Sequence, residues 1–238
     1  MHVSPMIAAA LGRIEQRASD VERAFTPGAQ PSFDDAGRAE GSFPTLNPLS
    51  VAPPDHAYFV ERSGTGERRY TRDGTFAFRN GMLCAADGHA ILGYSSERGL
   101  ADIRLDPVDA ALGRARDARI ESNGSVEYER TVVDPRSGMP EAQRVVAGRI
   151  ALARFVAGTR LNEDASGALA APPGAEPHVG GPGDGNFASV APMRRESSGI
   201  EIDESLDRLR IAYRDFDAMQ AVYQAQYGAA KSAMDLVR

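Results

Sequence analysis

Near the start of the chain, apolar residues fall at Ile7, Leu11, Ile14, Ala18, Val21 and Phe25, alternately four and three positions apart. Residues at that spacing share one face of a helix, so the pattern predicts a helix over residues 5–25 with a narrow apolar stripe. Ser4 stands where a cap is needed, and Pro5 suits the first helical position. At the other end no proline occurs from Asp203 to Val237. There Leu209, Tyr213, Phe216, Gln220, Tyr223, Tyr227, Ala230, Met234 and Val237 keep the same alternation, interrupted in polarity at Gln220. So narrow a stripe cannot be buried by one helix, and the two terminal helices are expected to pair as a coiled coil.

Between the helices the period changes to that of strands and turns. Short apolar runs at Tyr58–Glu61, Tyr70–Thr71, Thr75–Phe78, Met82–Ala85 and His89–Leu92 are separated by Asp73-Gly74, Asn80-Gly81 and Asp87-Gly88. Such dipeptides favour tight turns because glycine accepts positive φ and Asp or Asn bonds its own local backbone. Asn123-Gly124 marks a further hairpin between Ala118–Glu121 and Ser125–Glu129. Arg130–Val133 and Arg144–Ile150 form the expected arms of another, and Val145–Phe155 reads as one longer strand. The stretch Ala171–Gly185, with four prolines and five glycines, is expected to be an extended surface loop.

The predicted fold is mixed α and β, with one mainly-β domain of hairpins and meander flanked by the helical termini. Residues 1–25 and 200–238 form the helical domain, 26–54 a linker or disordered arm, and 55–199 the β-rich domain.

Composition narrows the chemistry. The chain has 238 residues, 42% of them hydrophobic, enough for a substantial core. Its net charge of −6, with no basic cluster, argues against a nucleic-acid surface. No apolar stretch approaches the ~20 residues that span a bilayer, so membrane insertion is not expected. Met6–Leu11 lacks a basic flank and is followed by Arg13, Glu15 and Arg17, unlike a secretory signal. The single cysteine, Cys84, excludes an internal disulfide and reads as a small buried strand residue. His2, His56, His89 and His178 lack the spacings that gather metal ligands, and His89, after a turn glycine, is expected to point to solvent. No nucleophile elbow or phosphate cradle is present. Catalytic, cofactor-binding and metal sites are therefore not expected, and the chain reads as a non-enzyme.

Several of these segments, taken in order, resemble the bacterial flagellar basal-body rod and hook protein family. Tyr58-Phe59-Val60, Tyr70-Thr71-Arg72-Asp73-Gly74-Thr75-Phe76, Gly81-Met82-Leu83 and Asp87-Gly88-His89-Ala90-Ile91-Leu92-Gly93 are similar to the motifs at the core of that family's β domain. Ile120–Val126 and Gly148–Phe155 extend the similarity. At the termini it thins. Thr26-Pro27-Gly28 keeps a family signature without its asparagines and final aromatic, and Gln220-Ala221-Val222-Tyr223-Gln224 keeps Gln and Tyr without Arg and Glu.

The resemblance implies a structural subunit that stacks helically into the axial tube, with paired terminal helices around the export channel and the β domain outside. It implies partners that are copies of the chain, other rod and hook proteins, and the flagellar export apparatus. It also implies location in the periplasmic rod of the basal body, reached without a cleaved signal peptide. The size favours a rod protein, of proximal or distal type, over a hook-type axial subunit. Independently of the resemblance, a secreted β-domain binding module oligomerised by its terminal helices is the alternative. The assembly interface is expected at Ile7, Leu11, Ile14, Val21, Leu209, Tyr213, Phe216, Tyr223, Tyr227 and Met234.

Overall fold

The computed structural model describes residues 5–25, 41–95, 99–113, 115–133, 138–163, 168–198, 200 and 202–236. The chain divides into two compact units, Gly41–Ser197 and a second made of Met1–Glu40 with Ser198–Arg238. Helices α1 (Pro5–Arg23) and α3 (Ile202–Leu236) belong to the second unit, and the short α2 (Pro107–Ala111) to the first. The first unit otherwise consists of strands. These are β1 (Ser42–Pro44), β2 (Val51–Ala52), β3 (Tyr58–Arg62), β4 (Arg68–Thr71), β5 (Ala77–Arg79), β6 (Met82–Cys84), β7 (Ala90–Tyr94), β8 (Leu100–Asp102) and β9 (Ala115–Ile120). After them come β10 (Ser125–Val133), β11 (Pro140–Ile150), β12 (Leu152–Arg154), β13 (Asn162–Glu163), β14 (Leu169–Ala170), β15 (His178–Gly180), β16 (Ala191–Pro192) and β17 (Arg194–Glu196). The protein is thus mixed α and β.

Thirteen strands join in one branched antiparallel sheet whose main path runs β13-β14-β4-β3-β7-β11-β10-β9. The pairs β1–β17 and β16–β2 stand beside it as separate two-stranded ribbons. Its strands β3, β7 and β12 are packed on both faces, which explains why the sequence shows continuous apolar runs there rather than alternation. Successive side chains of a strand point to opposite faces. Phe59, Ile91, Ile150 and Leu152 therefore enter one core with Phe76, Leu83, Ile103, Val126 and Phe187. Their neighbours Val60, Leu92, Ala151 and Ala153 enter a second core with Tyr70. Phe59 and Phe76 meet edge to face at 5.1 Å, and Tyr70 and Phe155 at 4.9 Å, an arrangement that suits the ring quadrupoles.

The hairpin β5–β6 turns at Asn80 (φ 50°) and Gly81 (φ 74°), the two positive values that a two-residue hairpin of this hand requires. Asp73-Gly74 works differently from the tight turn expected there. A Cβ on Gly74 would lie 1.7 Å from the Val51 carbonyl oxygen, so glycine is needed because the backbones approach, not for a positive φ. Asp73 still accepts the Thr75 N–H at 2.9 Å and shapes the local bend.

Three further expectations change. Within the arm expected over 26–54, residues 41–54 carry structure: β1 and β2 lie there, and Val51 is fully buried. Backbone bonds from Thr45 to Met193, Ile120 to Pro48 and Met193 to Ser50 satisfy its polar groups, which composition alone could not foresee. Residues 26–40 lie outside the described residues, as does Ser4. The loop expected over 171–185 contains β15, which pairs with β12, and Gly180, Gly181 and Pro182 are buried. The single strand expected at Val145–Phe155 is divided at Ala151, because β11 pairs with β7 and β10 whereas β12 pairs with β3 and β15.

Candidate assembly surface

In the helical unit, α1 runs antiparallel to α3. Met6 and Ile7 share a groove of about 250 Å³ with Met219 and Tyr223. Further along, Arg13 and Arg17 adjoin Arg208 and Ala212, and Ala24 packs with Ile200 and Ile202. At 35 residues, α3 is nearly twice as long as the 19-residue α1. At 1.5 Å per residue it extends about 50 Å.

The contact face is rotated from the expected stripes. On α1 the buried positions are Ala10, Ile14 and Asp20. Ala24, just beyond the helix end, is 6% exposed. Ile7 and Val21 are half-buried, whereas Leu11 is 41% and Phe25 78% exposed. On α3, Ser205 and Ala212 are buried and Leu209, Phe216 and Met219 half-buried, but Tyr213, Tyr223 and Tyr227 are exposed. The side chain of Met234 lies outside the described residues. The reason is size: alanine and serine at 10, 24, 205 and 212 let the backbones approach, and the bulkier Leu11, Phe25 and Tyr213 are displaced to the flank. A four-three spacing identifies a helical face only to within one neighbouring row of side chains.

That displacement leaves apolar groups open to water. Met6 and Leu11 on α1, and Ile211, Tyr213, Val222, Tyr223 and Tyr227 on α3, are each more than 40% exposed. Beyond the level of Gln226, the last α3 residue lining the groove at Met6, α3 continues for another ten residues to Leu236. Scattered apolar residues on a surface need no explanation, and it is larger contiguous patches that mark interaction sites.

In the β unit the run from Tyr70 to Phe76 is structural. The Arg72 guanidinium bonds the Glu196 carboxylate and the carbonyls of Ala57 and Asp55, and lies over the Tyr58 ring. Burial pushes the Cys84 thiol above its ordinary value, which Arg79 opposes. Buried Tyr128 donates to Asp109 at 2.8 Å and accepts the Asp106 N–H. Its hydroxyl is also raised, first by burial and then by Asp109.

One arrangement differs from the reading of scattered histidines. His89 does not point away to solvent: its side chain is 23% exposed, and Nδ1 lies 3.0 Å from Asp87 and 3.5 Å from Glu61. The pairing of β3 with β7 makes this meeting, and no short sequence spacing announces it. Among the described residues no helix is long and apolar enough to cross a membrane. No protein-family model matches the sequence, and no curated protein does.

Proposed function

We propose that this protein is a structural subunit of the bacterial flagellar basal-body rod, assembling helically with copies of itself and with other rod and hook proteins into the axial tube. The observation that carries the reading is the apolar surface left open on α1 and α3, centred on Val222, Tyr223 and Tyr227. A subunit that buries its helices against neighbours needs such a face, and a head-to-tail contact that does not close produces a helical filament. The motif resemblance of residues 58–93 supplies the particular filament. In this reading the two helices form a coiled-coil pair that joins those of adjacent subunits around the export channel. In the same reading the subunit lies in the periplasm, and the chain leaves the cell through the flagellar export apparatus. The subunit transmits torque and performs no catalysis.

The test is incorporation into basal bodies purified from the source bacterium. Tyr213→Asp combined with Tyr227→Asp is expected to remove the subunit from the purified structure and abolish motility. Both side chains are exposed, so the free protein should melt as the parent does, since surface changes usually stay within about 0.5 kcal/mol. Absence of the parent protein from purified basal bodies, or normal incorporation of the double variant, overturns the reading.

A further inference from the structure

We propose that Glu61, Asp87 and His89 form a binding site for one divalent transition-metal ion of the zinc class. The inference is independent of the axial-subunit reading and belongs to the β unit alone.

Three ligand atoms converge there: a Glu61 carboxylate oxygen, an Asp87 carboxylate oxygen and His89 Nδ1, all within 4.8 Å of one another. Nδ1 stands 3.5 Å from Glu61 Oε1 and 3.0 Å from Asp87 Oδ2. Around a tetrahedral zinc, with bonds of about 2.0–2.2 Å to nitrogen and oxygen, neighbouring ligand atoms are about 3.3 Å apart. The two distances from the imidazole bracket that value, and the two carboxylates, within 4.8 Å of each other, would close on the ion by side-chain rotation.

The backbone fixes all three donors. Glu61 lies in β3, opposite Arg69 of β4 and Ile91 of β7. Asp87 uses Oδ1 to accept the His89 N–H at 2.9 Å, which leaves Oδ2 as the atom turned toward the imidazole. The Gly88 N–H bonds the Ala85 carbonyl, and Ala85 N–H the His89 carbonyl, so the turn bearing two of the ligands is itself held.

The environment suits a cation. Glu61 is 0% exposed, so its carboxylate is a ligand shielded from competing solvent. Asp87 and His89 keep 21% and 23% side-chain exposure, giving an ion a path and a fourth position for water. Three protein ligands with an open position is the arrangement of an accessible zinc centre rather than a closed structural one. An imidazole nitrogen in the set selects zinc-like ions over magnesium or calcium, which prefer oxygen alone. Bound there, the ion would clamp the Asp87-Gly88 turn to β3.

The experiment uses the full chain, stripped with a chelator and titrated with zinc chloride against a chromophoric competitor. One zinc per chain is expected. His89→Ala and Asp87→Asn, both at partly exposed positions, should each weaken binding by more than about tenfold, and His56→Ala should leave it unchanged. Cobalt substituted for zinc should give the intense visible bands of a tetrahedral site in the parent and not in His89→Ala. Substoichiometric zinc, or full affinity retained in both His89→Ala and Asp87→Asn, overturns the proposal. Neither result depends on Glu61→Gln, whose folding is more exposed to the loss of a buried charge.

Discussion

The Arg72 guanidinium grips the Glu196 carboxylate from 124 positions earlier in the chain, with Nε 2.7 Å from Oε2 and Nη2 bonded to Oε1. Two further donors reach the carbonyls of Ala57 and Asp55. One side chain thus ties the segment before β3, the end of β4 and strand β17. With only 8% of Arg72 and 19% of Glu196 side-chain surface exposed, removing one partner strands the other. Arg72→Ala is expected to destabilise the protein by about 3 kcal/mol in urea unfolding, the low end for broken buried pairs. Arg72→Lys should fall between, since an ammonium cannot reproduce the planar fork. A loss under about 0.5 kcal/mol in Arg72→Ala, the range of ordinary surface changes, would contradict this role.

Gly74 sits where a methyl group would collide with backbone. Gly74→Ala is expected to cost more than about 3 kcal/mol, because Val51 belongs to a fixed strand and cannot yield cheaply. Gly64→Ala, where nothing lies within 4 Å of the added methyl, serves as the control. It should change stability by less than about 1 kcal/mol. Thermal unfolding of the two variants side by side separates close approach from a general glycine effect.

The small residues between α1 and α3 set their separation. Ala10, 1% exposed, is enclosed in that interface. Ala10→Leu is expected to destabilise the helical pair by about 1–3 kcal/mol through overpacking. The measurement is loss of the helical circular-dichroism signal at lower temperature, with the strand signal retained. An unchanged helical transition would show that Ala10 does not set the packing.

Asp184 gives the β unit an acid dependence. Burial raises its carboxyl, but N–H groups of Asn186, Gly181 and Phe187, with Arg149 nearby, outweigh this and hold it below the ordinary aspartate value. A folded value depressed in this way stabilises fully above the unfolded aspartate value, and the gain is lost as pH falls through the folded one. Urea stability measured from about pH 5 down to about pH 2 should therefore decline more steeply in the parent than in Asp184→Asn. At neutral pH the variant should be the less stable of the two.

Local chemistry was the legible part of the sequence. Asn80-Gly81 specifies its hairpin because the required backbone angles belong to those two residues, and the helical period exposes α1 and α3 because it repeats over many turns. What remained hidden depends on distant partners. Val51 reads as part of an irregular arm until Gly74 is seen beside it. Leu11 and Ala10 occupy adjacent rows of one helix, and only the closeness of α3 decides which is buried. The candidate interface was therefore legible as a pair of helices but not as a face. Glu61 and His89 become neighbours through the register of β3 with β7, a relation that neither residue's surroundings in sequence encode.

The ribbon of β1 with β17 bears on how such a chain can change. Ser197 donates its backbone N–H to Gly41 at 2.9 Å, and Ser42 stands opposite Glu196. The first and last residues of the β unit are thereby fastened side by side. A module whose ends coincide can be exchanged for another, enlarged at its loops or circularly permuted while the helical segments before and after it keep their sequence. The β unit has the construction of a cassette, entered and left at one place.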